Sequence, residues 1–153
     1  MEERALKSED FCHIAKELLK RKTNVKFQAR GFSMAPFIKN GDTLILSPLK
    51  GGQCAYGDVA AAVRPGTENV FVHRIVGRRR DDYLIKGDNI PGGPDGLFPR
   101  ANILGIVIKI ERNGKVCSFG LGPEKYIIAF LSRAKILSFI LWFLRGVKSA
   151  LFG

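Results

Sequence analysis

The chain has 153 residues, enough for one domain of ordinary size with a short extension at either end and too few for two. Its 25 basic against 14 acidic residues give a formal charge of +11, and a hydrophobic content of 46% excludes a disordered polycation. A folded basic domain of this kind points to an anionic partner, either nucleic acid or the surface of an anionic membrane.

The amino terminus is charged and lacks the apolar run of a secretory signal. From Ser8 onward Phe11, Ile14, Ala15, Leu18 and Leu19 recur at helical spacing, so residues 1–24 form one segment built on an amphipathic helix. Ser8 is placed to cap it, and His13 falls on its polar side as a solvated histidine. Cys12, Cys54 and Cys117 are widely spaced and contain no Cys-x-x-Cys pair, which speaks against a disulfide framework or a structural zinc site. They read as unpaired thiols of a reducing compartment, and no metal or cofactor is expected.

After Lys20-Arg21-Lys22 the pattern shifts to short β-type stretches separated by glycine, proline and Gly-Asp or Asn-Gly turns. Strands are expected over 25–29, 43–47, 58–64, 70–76, 83–86, 103–111 and 115–119. Seven short strands without intervening helical periods make residues 25–121 a mainly β domain, with a coiled or partly closed antiparallel sheet.

The segment 122–153 changes character again. Ile, Leu, Phe and Trp142 dominate it, broken by Ser132, Arg133, Lys135 and Ser138. Its longest unbroken apolar run, residues 139–144, falls far short of the ~18 to 20 residues of a spanning helix. With Arg145 and Lys148 following, a hydrophobic helix lying in or dipping into an anionic leaflet is expected. A spanning tail and a helix packed on the protein or on a second copy are the alternatives.

Three short stretches carry chemistry. In Gly31-Phe32-Ser33-Met34-Ala35-Pro36 the proline disfavours an α conformation at Ala35, so Ser33 is presented on a bend, as a serine nucleophile requires. In Val70-Phe71-Val72-His73-Arg74-Ile75-Val76 strand alternation puts His73 inward with Phe71 and Ile75, and sends Arg74 to the other face with Val70, Val72 and Val76. In Tyr83-Leu84-Ile85-Lys86-Gly87-Asp88-Asn89 a strand runs into a glycine turn that delivers a carboxylate. Asp88 is thereby placed to accept a hydrogen bond from His73, and Asp95 is a second acidic candidate nearby. Each stretch also has an ordinary structural reading, as turn chemistry or a hydrogen-bonded core histidine.

Taken in order, Ser-Met-x-Pro, Val-His-Arg-Ile and Lys-Gly-Asp-Asn resemble the signal peptidase type I clan. The similarity is to its endoplasmic-reticulum and archaeal-like branch, in which histidine replaces the general-base lysine, and it extends from about Phe27 to about Ile110. The resemblance implies a signal peptidase-like fold over residues 25–121 and a serine endopeptidase that cleaves leader or signal-like peptides beside small residues. It implies Ser33 as nucleophile, His73 as base, Asp88 as acidic partner and Asp95 as a further acid. Gly31 stands where many relatives place a hydroxyl residue, which shifts the oxyanion role toward the Ser33 backbone N–H. Lys86, two residues before Asp88 and on the same strand face, is an alternative base.

The partners expected are therefore a peptide or preprotein substrate and an anionic membrane, with the cytoplasmic face favoured because the amino terminus shows no signal or transmembrane segment. Two other readings compete. A non-catalytic nucleic-acid-binding β domain would use Lys20-Arg21-Lys22 and Arg78-Arg79-Arg80 on phosphates, but aromatics are not interleaved with those runs, so nucleic acid is not favoured. A self-cleaving regulator of the SOS-repressor kind would need an Ala-Gly bond upstream of the serine, and the sequence contains none.

Overall fold

The computed structural model describes residues 8–152. The amino-terminal residues 1–7 and the side chain of Ser8, expected to cap the first helix, lie outside the described residues. In chain order the elements are α1 (Ser8–Lys20), β1 (Val25–Gln28), β2 (Thr43–Ser47), β3 (Val59–Val63), β4 (Val70–Arg79), β5 (Asp82–Lys86), β6 (Gly96–Pro99), β7 (Ile103–Arg112), β8 (Lys115–Cys117), α2 (Lys125–Arg133) and α3 (Ile136–Phe152).

The eight strands form one antiparallel sheet in the order β1-β2-β7-β3-β4-β5-β6, with β8 paired to β7. β1 and β6 are not hydrogen-bonded to each other, so the sheet is open rather than closed. Register shifts between Ile45 and Leu46, Ala61 and Ala62, and Ile75 and Gly77 insert bulges that increase its twist. β6 is the strand the sequence did not announce. Gly96-Leu97-Phe98-Pro99 is too short to show an alternation, and it becomes a strand because β5 offers an edge on which Phe98 lies opposite Tyr83.

The middle strand β3 is Val-Ala-Ala-Ala-Val and buried throughout, because apolar clusters cover both faces of the sheet there. One cluster joins Val59 and Ala61 to Met34, Leu44, Leu46, Val107 and Ile110, and α1 adds Ala15 and Leu19 to it. Burial of each such leucine-sized side chain contributes about 1.5–3 kcal/mol. The inward face of α1 differs slightly from expectation: Cys12 is buried and Ile14 is exposed, while Phe11 packs on Phe27 with ring centroids 5.1 Å apart. The second cluster gathers Ala60, Ala62, Ile75, Tyr83, Ile85 and Phe98 on the opposite face.

The carboxyl-terminal segment is two helices rather than one. The chain breaks at Ala134-Lys135, where Lys135 takes a φ of 63°, and the helices bend by 101°. Among the described residues no single helix is long and apolar enough to cross a membrane. Ile128, Leu137 and Leu141 pack on Phe37, and the Lys125 ammonium meets Asp58 at 2.6 Å, so the pair is fastened to the sheet body.

One buried ion pair closes the loop that carries the candidate nucleophile. Asp42 accepts from Arg112 Nε at 2.8 Å, Arg112 Nη2 at 2.7 Å and the Lys39 N–H at 2.7 Å, and Arg112 also donates to the Phe37 carbonyl. Burial pushes the Asp42 carboxyl up, but the Arg112 guanidinium and the Lys39 amide outweigh it and hold it below its ordinary value. A lowered folded-state value means that this stabilisation is present above the ordinary carboxylate range and is lost as pH falls through the folded value. Asp42→Asn is therefore expected to cost about 2 kcal/mol at neutral pH, a difference that shrinks below about pH 4. Urea unfolding across pH checks it.

Candidate active site

The strand β1 ends in a looped excursion whose base is closed by Ala29 and Asp42: the Ala29 N–H donates to the Asp42 carbonyl at 2.7 Å, and the Gly41 N–H donates to the Ala29 carbonyl at 2.8 Å. Gly31 enters the loop with a φ of +86°, a conformation that favours glycine, and its N–H is taken by Asn40 Oδ1 at 2.9 Å. Ser33 then sits in the turn closed by the Ala35 N–H on the Phe32 carbonyl, which agrees with its expected place on a bend. Among the described residues neither the N–H nor the Oγ of Ser33 has a hydrogen-bond partner.

Ser33 lines a cavity of about 430 Å³ whose other walls include Met34, Ile38, Val70, Phe71 and Val72, together with the chain from Phe27 to Gly31. The cavity therefore lies between the end of β1 and the start of β4. Pairing of β4 with β5 begins only at Arg74, so residues 70–73 are laddered to β3 alone.

The turn after β5 presses on this loop. The Ser33 carbonyl accepts the Asn89 N–H at 2.8 Å, Asn89 Nδ2 donates to the Phe32 carbonyl at 2.9 Å, and the Asp88 N–H donates to the Met34 sulfur at 3.4 Å. Gly87 permits that approach, because a Cβ there would stand 2.9 Å from the Ser33 carbonyl oxygen. Gly87→Ala is expected to push the Ser33 loop outward, lowering stability by about 1–3 kcal/mol. Any activity of Ser33 should fall with it, and thermal melting with an activity assay of the same preparation checks both.

His73 projects from β4 opposite Ala60 and is 5% exposed. As expected it shares its face with Phe71 and Ile75, and the Phe71 ring meets it edge-on at 5.1 Å. Its Nδ1 lies 2.5 Å from Asp95 Oδ2, and Asp95 is itself held by donation from its N–H to the Ile85 carbonyl at 2.8 Å. With its proton on Nδ1 and donated to this carboxylate, the ring presents Nε2 as an acceptor, the tautomer a general base needs.

The two acidic residues are thus the reverse of the sequence expectation. Asp88 does not bond to His73. It is completely buried and accepts from Arg74, with Nε at 2.9 Å and Nη2 at 2.7 Å. The register explains the exchange: Arg74 lies opposite Lys86 across β4 and β5, and Asp88, two residues on, faces Arg74 rather than the histidine on the opposite side. Arg74 Nη1 reaches the Gly57 carbonyl at 2.9 Å and the Gly120 carbonyl at 2.7 Å, and the guanidinium lies over the Phe37 ring. Burial pushes the Asp88 carboxyl up against the pull of that guanidinium.

Lys86 is also completely buried, and burial pushes its ammonium pKa down while Asp88 and Asp95 pull it up. Its Nζ donates to the Ile90 carbonyl at 2.7 Å, so it fastens the chain between β5 and β6 and makes no bond to Ser33. Two residues of this site escaped the sequence reading. Arg74 could have been found as a cation in an otherwise apolar strand; nothing marked Asn89 beyond its turn position. Of the basic run at the β4–β5 tip, Arg78 is occupied by the Arg80 carbonyl, Gln53 and the Tyr83 ring. Among the described residues no group of three or more His, Cys, Asp or Glu is placed to hold a metal ion.

Comparison with protein-family profiles, with curated proteins and with solved structures finds no match. The functional reading therefore rests on the chain's own sequence and geometry.

Proposed function

We propose that the protein is a serine endopeptidase of the signal peptidase kind, with Ser33 as nucleophile, His73 as general base and Asp95 as the carboxylate that orients it. The observation that carries this reading is the part-buried 2.5 Å contact between His73 Nδ1 and Asp95, with the His73 ring against Phe71, which lines the same cavity as Ser33.

The chemistry follows from those groups. Ser33 Oγ attacks the scissile carbonyl while His73 Nε2 takes its proton, and Asp95 stabilises the imidazolium through Nδ1–H. The Ser33 N–H, without a partner among the described residues, is free to donate to the oxyanion. Collapse returns the proton from Nε2 to the leaving amine, and water, deprotonated by the same nitrogen, releases the acyl group. Ser33 Oγ is not hydrogen-bonded to His73; the attack needs that contact to form as substrate fills the cavity, as catalytic hydrogen bonds commonly do.

The substrate is an extended peptide. The β4 edge over residues 70–73 carries no β5 ladder, so a peptide strand can pair there with alternate side chains in the apolar cavity. Peptides bearing small residues beside the cleaved bond are the substrates implied by the sequence resemblance. Incubation of the full chain with such leader-like peptides should give cleavage that Ser33→Ala and His73→Ala each lower by at least about a thousandfold. Retained cleavage in both variants would reject the assignment.

A further inference from the structure

The bent pair α2–α3 buries one apolar face and leaves another uncovered. Leu137 and Leu141 of α3 are held on Phe37 and Ile128, whereas Phe139, Trp142 and Phe143 are more than half exposed, as are Ile127 and Phe130 of α2. Phe139 and Trp142 stand side by side with ring centroids 6.2 Å apart. Two exposed loop aromatics lie beside the helices' footing on the sheet body, one on Phe37 and one bonded through Asn89 to Arg145 of α3. Phe119, 68% exposed, packs against Phe37 beneath the helices, and Phe32, 69% exposed, immediately precedes Ser33. An uncovered face rich in aromatics on a folded protein marks an interaction surface.

Charge and shape decide what it fits. From Lys125 to the carboxyl end there is no Asp or Glu, while Lys135 and Lys148 are exposed and have no ion-pair partner among the described residues. With cations and no acidic residue on either helix, this face disfavours a second copy of itself and suits an anionic partner. α3 has 17 residues, about 25 Å of helix, which is short of the roughly 30 Å hydrocarbon core. The 101° bend before it rules out a straight span made from both helices.

We infer that this face seats the protein on an anionic lipid leaflet, with α3 lying at the boundary of headgroups and acyl chains and Phe32 and Phe119 inserted beside it. The seat is built into the candidate site. The Arg145 guanidinium donates to Asn89 Oδ1 at 2.5 Å, and Asn89 holds both the Phe32 and the Ser33 carbonyls. Lipid binding thus places Ser33 at the membrane surface, where a peptide leaving the bilayer is met. That last consequence rests on the peptidase reading; the lipid binding does not.

Trp142 is the only tryptophan, so its emission reports the seat without a label. On adding phosphatidylcholine vesicles containing phosphatidylglycerol to the full chain, its emission should move to shorter wavelength and be quenched by lipids brominated near the headgroup. Pure phosphatidylcholine should give much weaker partition. Lys135→Glu with Lys148→Glu should weaken partition into anionic vesicles by roughly tenfold or more, and Phe139→Ser with Phe143→Ser should abolish the spectral shift, with the sheet's thermal transition unchanged in each. Ser33→Ala should bind as the wild type does, so loss of peptidase activity and loss of lipid binding are read separately. Equal partition into both vesicle types, an emission unmoved by either, or a lipid-independent shift that tracks dimer formation would overturn the inference.

Discussion

Asp95→Asn is expected to lower kcat for peptide cleavage by about 10³ to 10⁴-fold while leaving the urea midpoint close to that of the wild type. The substitution keeps the size of the side chain that meets His73 Nδ1 but removes the charge that stabilises the imidazolium, and its amide can turn to favour the wrong tautomer. Asp95 lies in the loop before β6, and the isosteric amide can keep a hydrogen bond to Nδ1, so the fold is expected to tolerate the loss of its charge. Asp88→Asn should show the other pattern, losing stability first and activity only as the Asp88 turn loosens around Asn89 and the Ser33 loop. Steady-state kinetics and denaturation on both variants separate the roles. Full stability with lost activity in Asp88→Asn, and normal turnover in Asp95→Asn, would reverse the assignment made here.

The second large effect is on the fold. Arg74→Met removes a completely buried guanidinium that bonds Asp88 and the carbonyls of Gly57 and Gly120, joining β4, the loop before β3 and the chain leading into α2. It leaves the Asp88 carboxylate buried without its partner, a loss of about 3–5 kcal/mol and a large share of the roughly 5–15 kcal/mol that holds a domain together. Asp88→Leu should cost a similar amount. The double variant should be less destabilised than the sum of the two, because no unpaired charge remains. Urea unfolding of the four proteins measures the coupling, and a cost for Arg74→Met below about 1 kcal/mol would contradict the buried pairing.

Where side-chain periodicity alone governs the structure, the sequence was readable. Alternation placed His73 with Phe71 and Ile75 and put Arg74 on the other face, and the strands at 25, 43, 59, 70, 82, 103 and 115 begin within a residue of expectation. The bend at Ser33 followed from Pro36 and its neighbours. What could not be read is set by pairing between distant segments. β6 exists only because β5 presents an edge. The exchange of Asp88 and Asp95 depends on the register that sets Arg74 opposite Lys86, which no local pattern encodes. The break between α2 and α3 is similarly tertiary: Ile128, Leu137 and Leu141 all reach Phe37 only if the chain turns at Lys135, a residue with no intrinsic preference for positive φ.

The most direct test of the central claim is the intact mass of the protein after brief exposure to a leader-like peptide ester, followed by peptide mapping of any adduct. The account requires a single acyl group on Ser33, absent from Ser33→Ala and formed far more slowly in His73→Ala and Asp95→Asn. No adduct in the folded wild type, or one mapping to another residue, would contradict it.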